Sequence, residues 1–314
     1  MTEASHSRPA PFGDRLASHA SARASQLVVG LDPDPMRLWP RAYELAEQAT
    51  GGAPATRAAF AVAVHCALVI EAVADHAVAV KPQVACFERL GAAGWAALAE
   101  TVARARERDL LVLADAKRGD IDVTAAAYAQ AYFGTTPTPY GDLPGIRADA
   151  LTVNPLLGTD SLEPLVHGAR DHGAGVFLLV RTSNPGAADL QDRVLAQGGT
   201  VSERLAEIVS ELGRPGTGEA GLADVGAVVG ATAPDSLRAL RELMPRAPFL
   251  LPGVGAQGGS VEALAPALGE HPASILVSAS RAIVAAFSET GGDPADVARR
   301  EAARLQELAW KLGR

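Results

Sequence analysis

Cysteine is nearly missing from this chain: Cys66 and Cys86 are the only two in 314 residues. That number excludes a disulfide framework, and the apolar helical or strand-end setting of each thiol reads as small buried packing. Aromatic residues make up 4% of the sequence, and Trp39, Trp95 and Trp310 read as packing residues. No Lys/Arg block is present and the formal net charge is −8, so nucleic acid is a poor partner. Any anionic ligand must be held by a few placed cations against an acidic background. No apolar run approaches membrane-spanning length, and Met1 to Pro11 is polar, without the apolar centre of a signal peptide. The expectation is a cytoplasmic protein with no membrane partner and a flexible terminus over residues 1–11. His65, His76, His167, His172 and His271 are scattered without ligand spacing, so no metal site is read from them.

What is present is a regular alternation. The hydrophobic content of 48% suffices for one large domain or two ordinary ones. Short, nearly continuous apolar runs at 26–32, 77–82, 110–115, 148–154, 175–180, 225–230, 248–252 and 274–279 read as strands buried on both faces. Helical spacing fills the intervals at 56–75, 95–108, 123–133, 161–172, 201–212, 234–244 and 260–268, with a last helix at 293–312. Asp160-Ser161 and Thr232 carry helix-start signals. Phe12 to Ala24 has helical spacing with no strand before it, which suits a helix across one end of the fold. Eight strand-helix units indicate a closed parallel (β/α)8 barrel, with a doubly wound open sheet as the alternative. One barrel domain over 1–314 is expected. Three stretches exceed ordinary loop length: 33–55, with a short helix at 41–48, then 134–147 and 184–200. Strand-helix alternation resumes after each, so none reads as an interdomain linker.

Polar residues collect where the strands end: Asp32, Lys81, Asp115, Lys117, Asn154, Ser183, Gln257 and Arg281. In a barrel of this kind the C-terminal ends of the strands form the active-site rim. The richest stretch is Leu113-Ala114-Asp115-Ala116-Lys117-Arg118-Gly119-Asp120-Ile121. Side chains two apart in extended backbone share a face, so Asp115 and Lys117 should point the same way. A carboxylate-ammonium pair at a buried strand end is costly unless it is used. The seventh strand continues as Pro252-Gly253-Val254-Gly255-Ala256-Gln257-Gly258-Gly259. Its G-x-G-x-x-G match lies too far down the chain for a dinucleotide fingerprint. A Gly-rich turn still exposes backbone N–H groups suited to one phosphate. Arg281, just after the eighth strand, offers a bidentate fork to the same phosphate, and barrels commonly hold phosphate between these two loops. A phosphorylated small molecule is the ligand class.

Taken together, Asp115-Ala116-Lys117-Arg118-Gly119-Asp120-Ile121, Lys81-Pro82-Gln83, Thr182-Ser183-Asn184-Pro185-Gly186, the Gly-rich turn and Ser280-Arg281 resemble the orotidine 5′-phosphate decarboxylase family, most of all its longer bacterial members. The match runs from about Asp32 to Arg281. The stretches 134–147 and 184–200 depart from compact family members, so no role is carried onto them. The resemblance implies decarboxylation of orotidine 5′-monophosphate to UMP in pyrimidine biosynthesis, without cofactor or metal, by a homodimer with shared active sites. It implies that Lys117 protonates C6, Asp115 lies against the substrate carboxylate, and Lys81 binds ribose and joins the charged array. Asp32 would bind a ribose hydroxyl, and Asp120 and Thr124 would reach into the partner's site. Ser183 would hold the pyrimidine, and Gln257 and Arg281 the phosphate.

Each residue alone has a plainer reading. Asp32 in Asp-Pro-Asp-Pro suits a turn, Lys81 can snorkel at a strand end, and Ser183 can be a turn hydroxyl. Gln257 can satisfy loop backbone, and Asn154 can cap the turn before Pro155. Arg118 either orients its loop or faces solvent. Two other functions remain open. One is a magnesium-dependent sugar-phosphate decarboxylase or aldolase of the same superfamily, which would want an acid where this chain has Lys81. The other is a non-catalytic nucleotide-binding barrel.

Overall fold

The computed structural model describes residues 9–49, 52–230, 234–253 and 260–313. Eight parallel strands close on themselves: β1 (Leu27–Leu31), β2 (Ala79–Pro82), β3 (Leu111–Arg118), β4 (Ala150–Val153), β5 (Gly175–Arg181), β6 (Val225–Val229), β7 (Phe249–Pro252) and β8 (Ile275–Ala279). Neighbours in sequence are neighbours in the sheet. The ring is shut by β1 against β8, with Leu27 opposite Val277 and Val29 opposite Ala279. That pairing decides for the (β/α)8 barrel over the open sheet.

Strand parity explains both the packing and the site. Residues of one parity, such as Val29, Val80, Val112, Leu151 and Val277, belong to the cluster packed against the surrounding helices. Residues of the other parity, Val28, Ala79, Leu111, Leu113, Ala150, Phe177, Leu250 and Leu276, fill the interior. The helix Phe12–Arg23 shares that inner cluster through Phe12, Leu16, Ala17 and Ala20. It lies across the N-terminal end of the barrel as expected. Phe12 meets Phe177 edge-on at 5.9 Å, Arg15 pairs with Asp149 and donates to the Gly173 carbonyl at 2.9 Å, and Asp14 accepts from Ala220 N–H. With that end closed, polar inward-facing residues collect at the opposite rim.

Several expectations change on contact with the fold. The region 260–268 forms only a 3-10 segment, Glu262–Ala267. Pro266 lies within it and has no N–H for an α-helical bond. The helix Thr159–Asp171 begins after Gly158, without a side-chain cap; Ser161 Oγ donates back to the Gly158 carbonyl at 2.6 Å. Trp95 is 39% exposed rather than packed. The helix Pro54–Val73 is, by length and composition alone, apolar enough to cross a membrane, contrary to the sequence expectation. Val62, Cys66, Val69, Ile70 and Val73 on it are buried in the cluster that wraps the sheet. Thr232 and most of the expected flexible terminus, residues 1–8, lie outside the described residues.

The long stretches acquire local structure. Within 33–55 a helix runs Pro40–Ala49. Within 134–147, Thr135–Thr136 and Leu143–Pro144 pair antiparallel, with Tyr140 at the exposed tip. Within 184–200 a short helix, Ala187–Leu190, is followed by a bridge between Val194 and Thr200. Thr200 and Glu203 then form a capping box for the helix Val201–Gly213.

Candidate active site

The inward parity of β3 runs Leu111, Leu113 and then Asp115, so the apolar interior ends in a carboxylate at the rim. Asp115 is buried and receives four donors. Lys81 Nζ reaches Oδ2 at 2.8 Å and Gln83 Nε2 reaches it at 3.1 Å. Lys117 Nζ reaches Oδ1 at 2.6 Å and Thr152 Oγ1 reaches it at 2.9 Å. Burial works against the Asp115 charge, but the ammonium groups of Lys81 and Lys117 outweigh it and hold the carboxyl at about 2. Burial likewise opposes the Lys81 charge, and Asp115, with Asp32 behind it, pushes that ammonium above its ordinary range. Asp115 and Lys81 are therefore both ionised near neutral pH.

The two lysines differ in access. The Lys81 side chain is 10% exposed and that of Lys117 46%. Lys81 is a buried counter-charge, whereas Lys117 presents its ammonium to whatever enters the barrel mouth. Lys117 also has a left-handed backbone, φ +50°, a sparsely populated conformation for a residue with a Cβ. Its N–H is held by Thr152 Oγ1 at 3.0 Å.

Of the remaining expected residues, Asp32, Ser183 and Arg281 lie just past strand ends on the same rim. Asp32 stands exposed just beyond β1. Gly30, two residues earlier, has no Cβ because one would sit 2.7 Å from the Ser280 Cβ. That close approach brings the β1 end beside Ser280 and the exposed Arg281, which opens the short helix Arg281–Val284. Ser183 is half-buried past the end of β5, and a Cβ on Gly230 would lie 2.8 Å from its Cα. Asp120 and Thr124 are not brought to the array within this chain. Asp120 Oδ1 caps the Ile121 N–H at 2.8 Å and forms no ion pair among the described residues, and Thr124 is exposed on the helix Asp122–Tyr132. Within one chain, the acid paired with Lys117 among the described residues is Asp115. Gln257, with Gly255 and Gly258, lies outside the described residues. Asn154 accepts from Leu156 N–H at 3.1 Å and caps the turn at Pro155, its plainer role.

The model of the orotidine 5′-phosphate decarboxylase / HUMPS family matches residues 25–300. An orotidine 5′-phosphate decarboxylase of Rhodopirellula baltica is 41% identical over 277 residues, covering 87% of this chain and 88% of that protein. One of Deinococcus radiodurans is 49% identical over 216 residues, covering 68% and 74% respectively. The solved structure of Leishmania donovani OMP decarboxylase superposes with a TM-score of 0.71 at 31% identity, covering 95% of this chain and 98% of the other. The chain belongs to the orotidine 5′-phosphate decarboxylase / HUMPS family.

Within that family framework, the structure adds contacts that sequence reasoning missed. Gln83 and Thr152 bind Asp115 directly. Thr152 is the one polar residue in Ala150–Val153 and has inward parity; a hydroxyl there among apolar neighbours was the available signal. Gln83 adjoins Lys81-Pro82 but carries no charge to mark it. A third addition comes from the long stretch after Ser183. Gln191 Oε1 accepts from Thr182 N–H at 2.7 Å and from Thr182 Oγ1 at 3.2 Å. Asp192 forms a two-point ion pair with Arg181. The insertion folds back and clamps the residue before Ser183. Gln191→Leu is expected to raise KM about tenfold with little change in kcat, since a part-buried amide then loses its acceptor. Steady-state kinetics on orotidine 5′-monophosphate checks this; an unchanged KM rejects the clamp.

Proposed function

We propose that this chain converts orotidine 5′-monophosphate to UMP and CO2, with Lys117 as proton donor. The observation that supports it most is one buried carboxylate shared by two ammonium groups, of which that of Lys117 belongs to the more exposed side chain. Breaking the bond from C6 to the carboxylate leaves an electron pair on a carbon with no adjacent electron sink. A fixed ammonium beside that carbon stabilises the developing charge and transfers a proton to it. The lysine then regains a proton from solvent.

The other roles follow from position. Asp115 faces the departing carboxylate, keeps Lys81 charged and anchors the Lys117 ammonium. Lys81 and Asp32 meet the ribose, Ser183 the pyrimidine, and Gln257 and Arg281 the phosphate. Phosphate held this far from the reacting carbon supplies binding energy that orients the ring. Asp120 and Thr124 serve a second copy's site in a homodimer. In favour of that assembly, the loops after β3 and β4 expose Ile121, Val123, Leu156 and Leu157 at 51–83%, an apolar strip beside those two residues. The whole chain acts as one barrel domain, and a cytoplasmic setting fits a nucleotide substrate.

Loss of absorbance on orotidine 5′-monophosphate, measured with and without a metal chelator, tests the reading. Equal rates in the two arms are expected. Activity abolished by the chelator would favour the magnesium-dependent sugar-phosphate reaction instead, although Lys81 occupies the position where that chemistry needs an acid. UMP binding without CO2 release would make the barrel a nucleotide-binding protein only.

A further inference from the structure

The strand carrying the array is not regular. Against β4, Ala114 stands opposite Leu151 but Arg118 stands opposite Val153, so β3 spends more residues than its partner between those points. The surplus falls on Asp115, Ala116 and Lys117. Bulges of this kind re-aim side chains, and here the bulge contains the left-handed Lys117. Something must hold it, because neither the extra residues nor that backbone conformation is favoured locally.

Arg118 closes the far side of the bulge. Its carbonyl accepts from Asn154 N–H at 2.7 Å, restoring the ladder. Its guanidinium turns back, and Nη1 donates to the Ala116 carbonyl inside the bulge at 3.2 Å. Nη2 pairs with Glu88, on the short helix Val84–Glu88 that follows Lys81 and Gln83. The guanidinium carbon lies 5.5 Å from the Tyr128 ring centre and 5.9 Å from that of Tyr132, within cation–π range. Those tyrosines are one turn apart on Asp122–Tyr132, the helix that bears Thr124. One planar group therefore touches the bulge, the β2 loop and the helix beyond the motif.

We infer that Arg118 is a positioning residue: with Glu88, it forms an outer tie that fixes the β3 bulge and so aims the Lys117 ammonium. Lys81 and Asp115 join β2 to β3 on the inside, and Glu88 and Arg118 join the same two segments on the outside. A lysine in place of Arg118 keeps the charge but cannot pair with Glu88, reach the Ala116 carbonyl and lie over two rings at once. This inference rests on the reading of Lys117 as proton donor.

The test compares Arg118→Met, Arg118→Lys and Glu88→Gln with the parent enzyme and with Lys117→Ala. Arg118→Met is expected to lower kcat about 100-fold, the scale of an ångström-level misplacement of a catalytic group. The dissociation constant for UMP should change less than about threefold, because the phosphate and ribose contacts lie elsewhere. Arg118→Lys should recover only part of the loss. Glu88→Gln, which keeps shape and loses charge, should fall between and serves if Arg118→Met does not fold. A kcat within about threefold of the parent in both Arg118→Met and Glu88→Gln overturns the inference, as does an equal loss of kcat and UMP affinity, the mark of general unfolding. If Lys117→Ala is inactive while the Arg118 variants keep full kcat, only the outer tie is wrong. If Lys117→Ala turns over normally, the reading of the site and the tie fall together.

Discussion

Lys117→Ala should lower kcat on orotidine 5′-monophosphate by at least about 10⁴-fold, the upper range for a positioned proton donor, since the same group also stabilises charge. UMP binding should survive. Asp115 keeps Lys81, Gln83 and Thr152 as donors after the substitution, so the buried carboxylate remains paired and the barrel folds. The separation between lost turnover and kept binding is the informative part. Lys117 is half-exposed, and its removal leaves no buried polar group unpaired, so a stability effect cannot account for a loss of that size. Single-turnover absorbance and UMP titration on the same preparation provide both numbers. Turnover within tenfold of the parent would remove Lys117 as the proton donor.

The fold was legible because its periodicity is simple. Strands buried on both faces give short apolar runs, and each run is followed by helical spacing of ordinary length. The array was legible for a related reason. Asp115 and Lys81 continue the inward parity of Leu113 and Ala79 and stand out as charges at the ends of apolar strands. Uncharged partners left much weaker marks. Thr152 looks like any β-branched strand residue, and Gln83 like a loop polar group. The bulge in β3 could not be read at all, since it is a mismatch between two strands and neither sequence contains it. Asp120 shows a different limit. It lies three residues after Lys117 in the motif, yet within one chain it turns away to cap Ile121, because the left-handed Lys117 and the close pass of Gly119 over the Asn154 carbonyl redirect the backbone. The region 260–268 has apolar helical spacing, yet it forms only a 3-10 segment with Pro266 inside it.

Asp115→Asn should be the most destabilising conservative change in the site. Replacing the carboxylate by an amide leaves the Lys81 ammonium buried without its main counter-charge, and breaking a buried pair in this way costs about 3–5 kcal/mol. Tm should fall by about 10 °C for a chain of this size, and kcat should fall with it as Lys117 loses its anchor. The pH dependence fixes the cause. In the parent, the Asp115 carboxyl sits at about 2, below its unfolded value, so its contribution is full above about pH 4 and disappears as pH falls through about 2. The Lys81 ammonium is held above its ordinary range, so its contribution is full below about pH 10 and is lost as pH rises through the folded value. The parent should therefore lose stability on the alkaline side. In Asp115→Asn the sign reverses: burial now outweighs attraction at Lys81, the unfolded chain binds the proton more tightly, and stability rises with pH over the same range. Denaturant unfolding between about pH 6 and about pH 10 resolves the two slopes. Adding Lys81→Met should restore much of the lost stability without restoring turnover, because removing both charges relieves the desolvation cost. A variant as stable as the parent, with the parent's alkaline slope, would mean that the carboxylate is not what keeps a charged lysine inside the barrel.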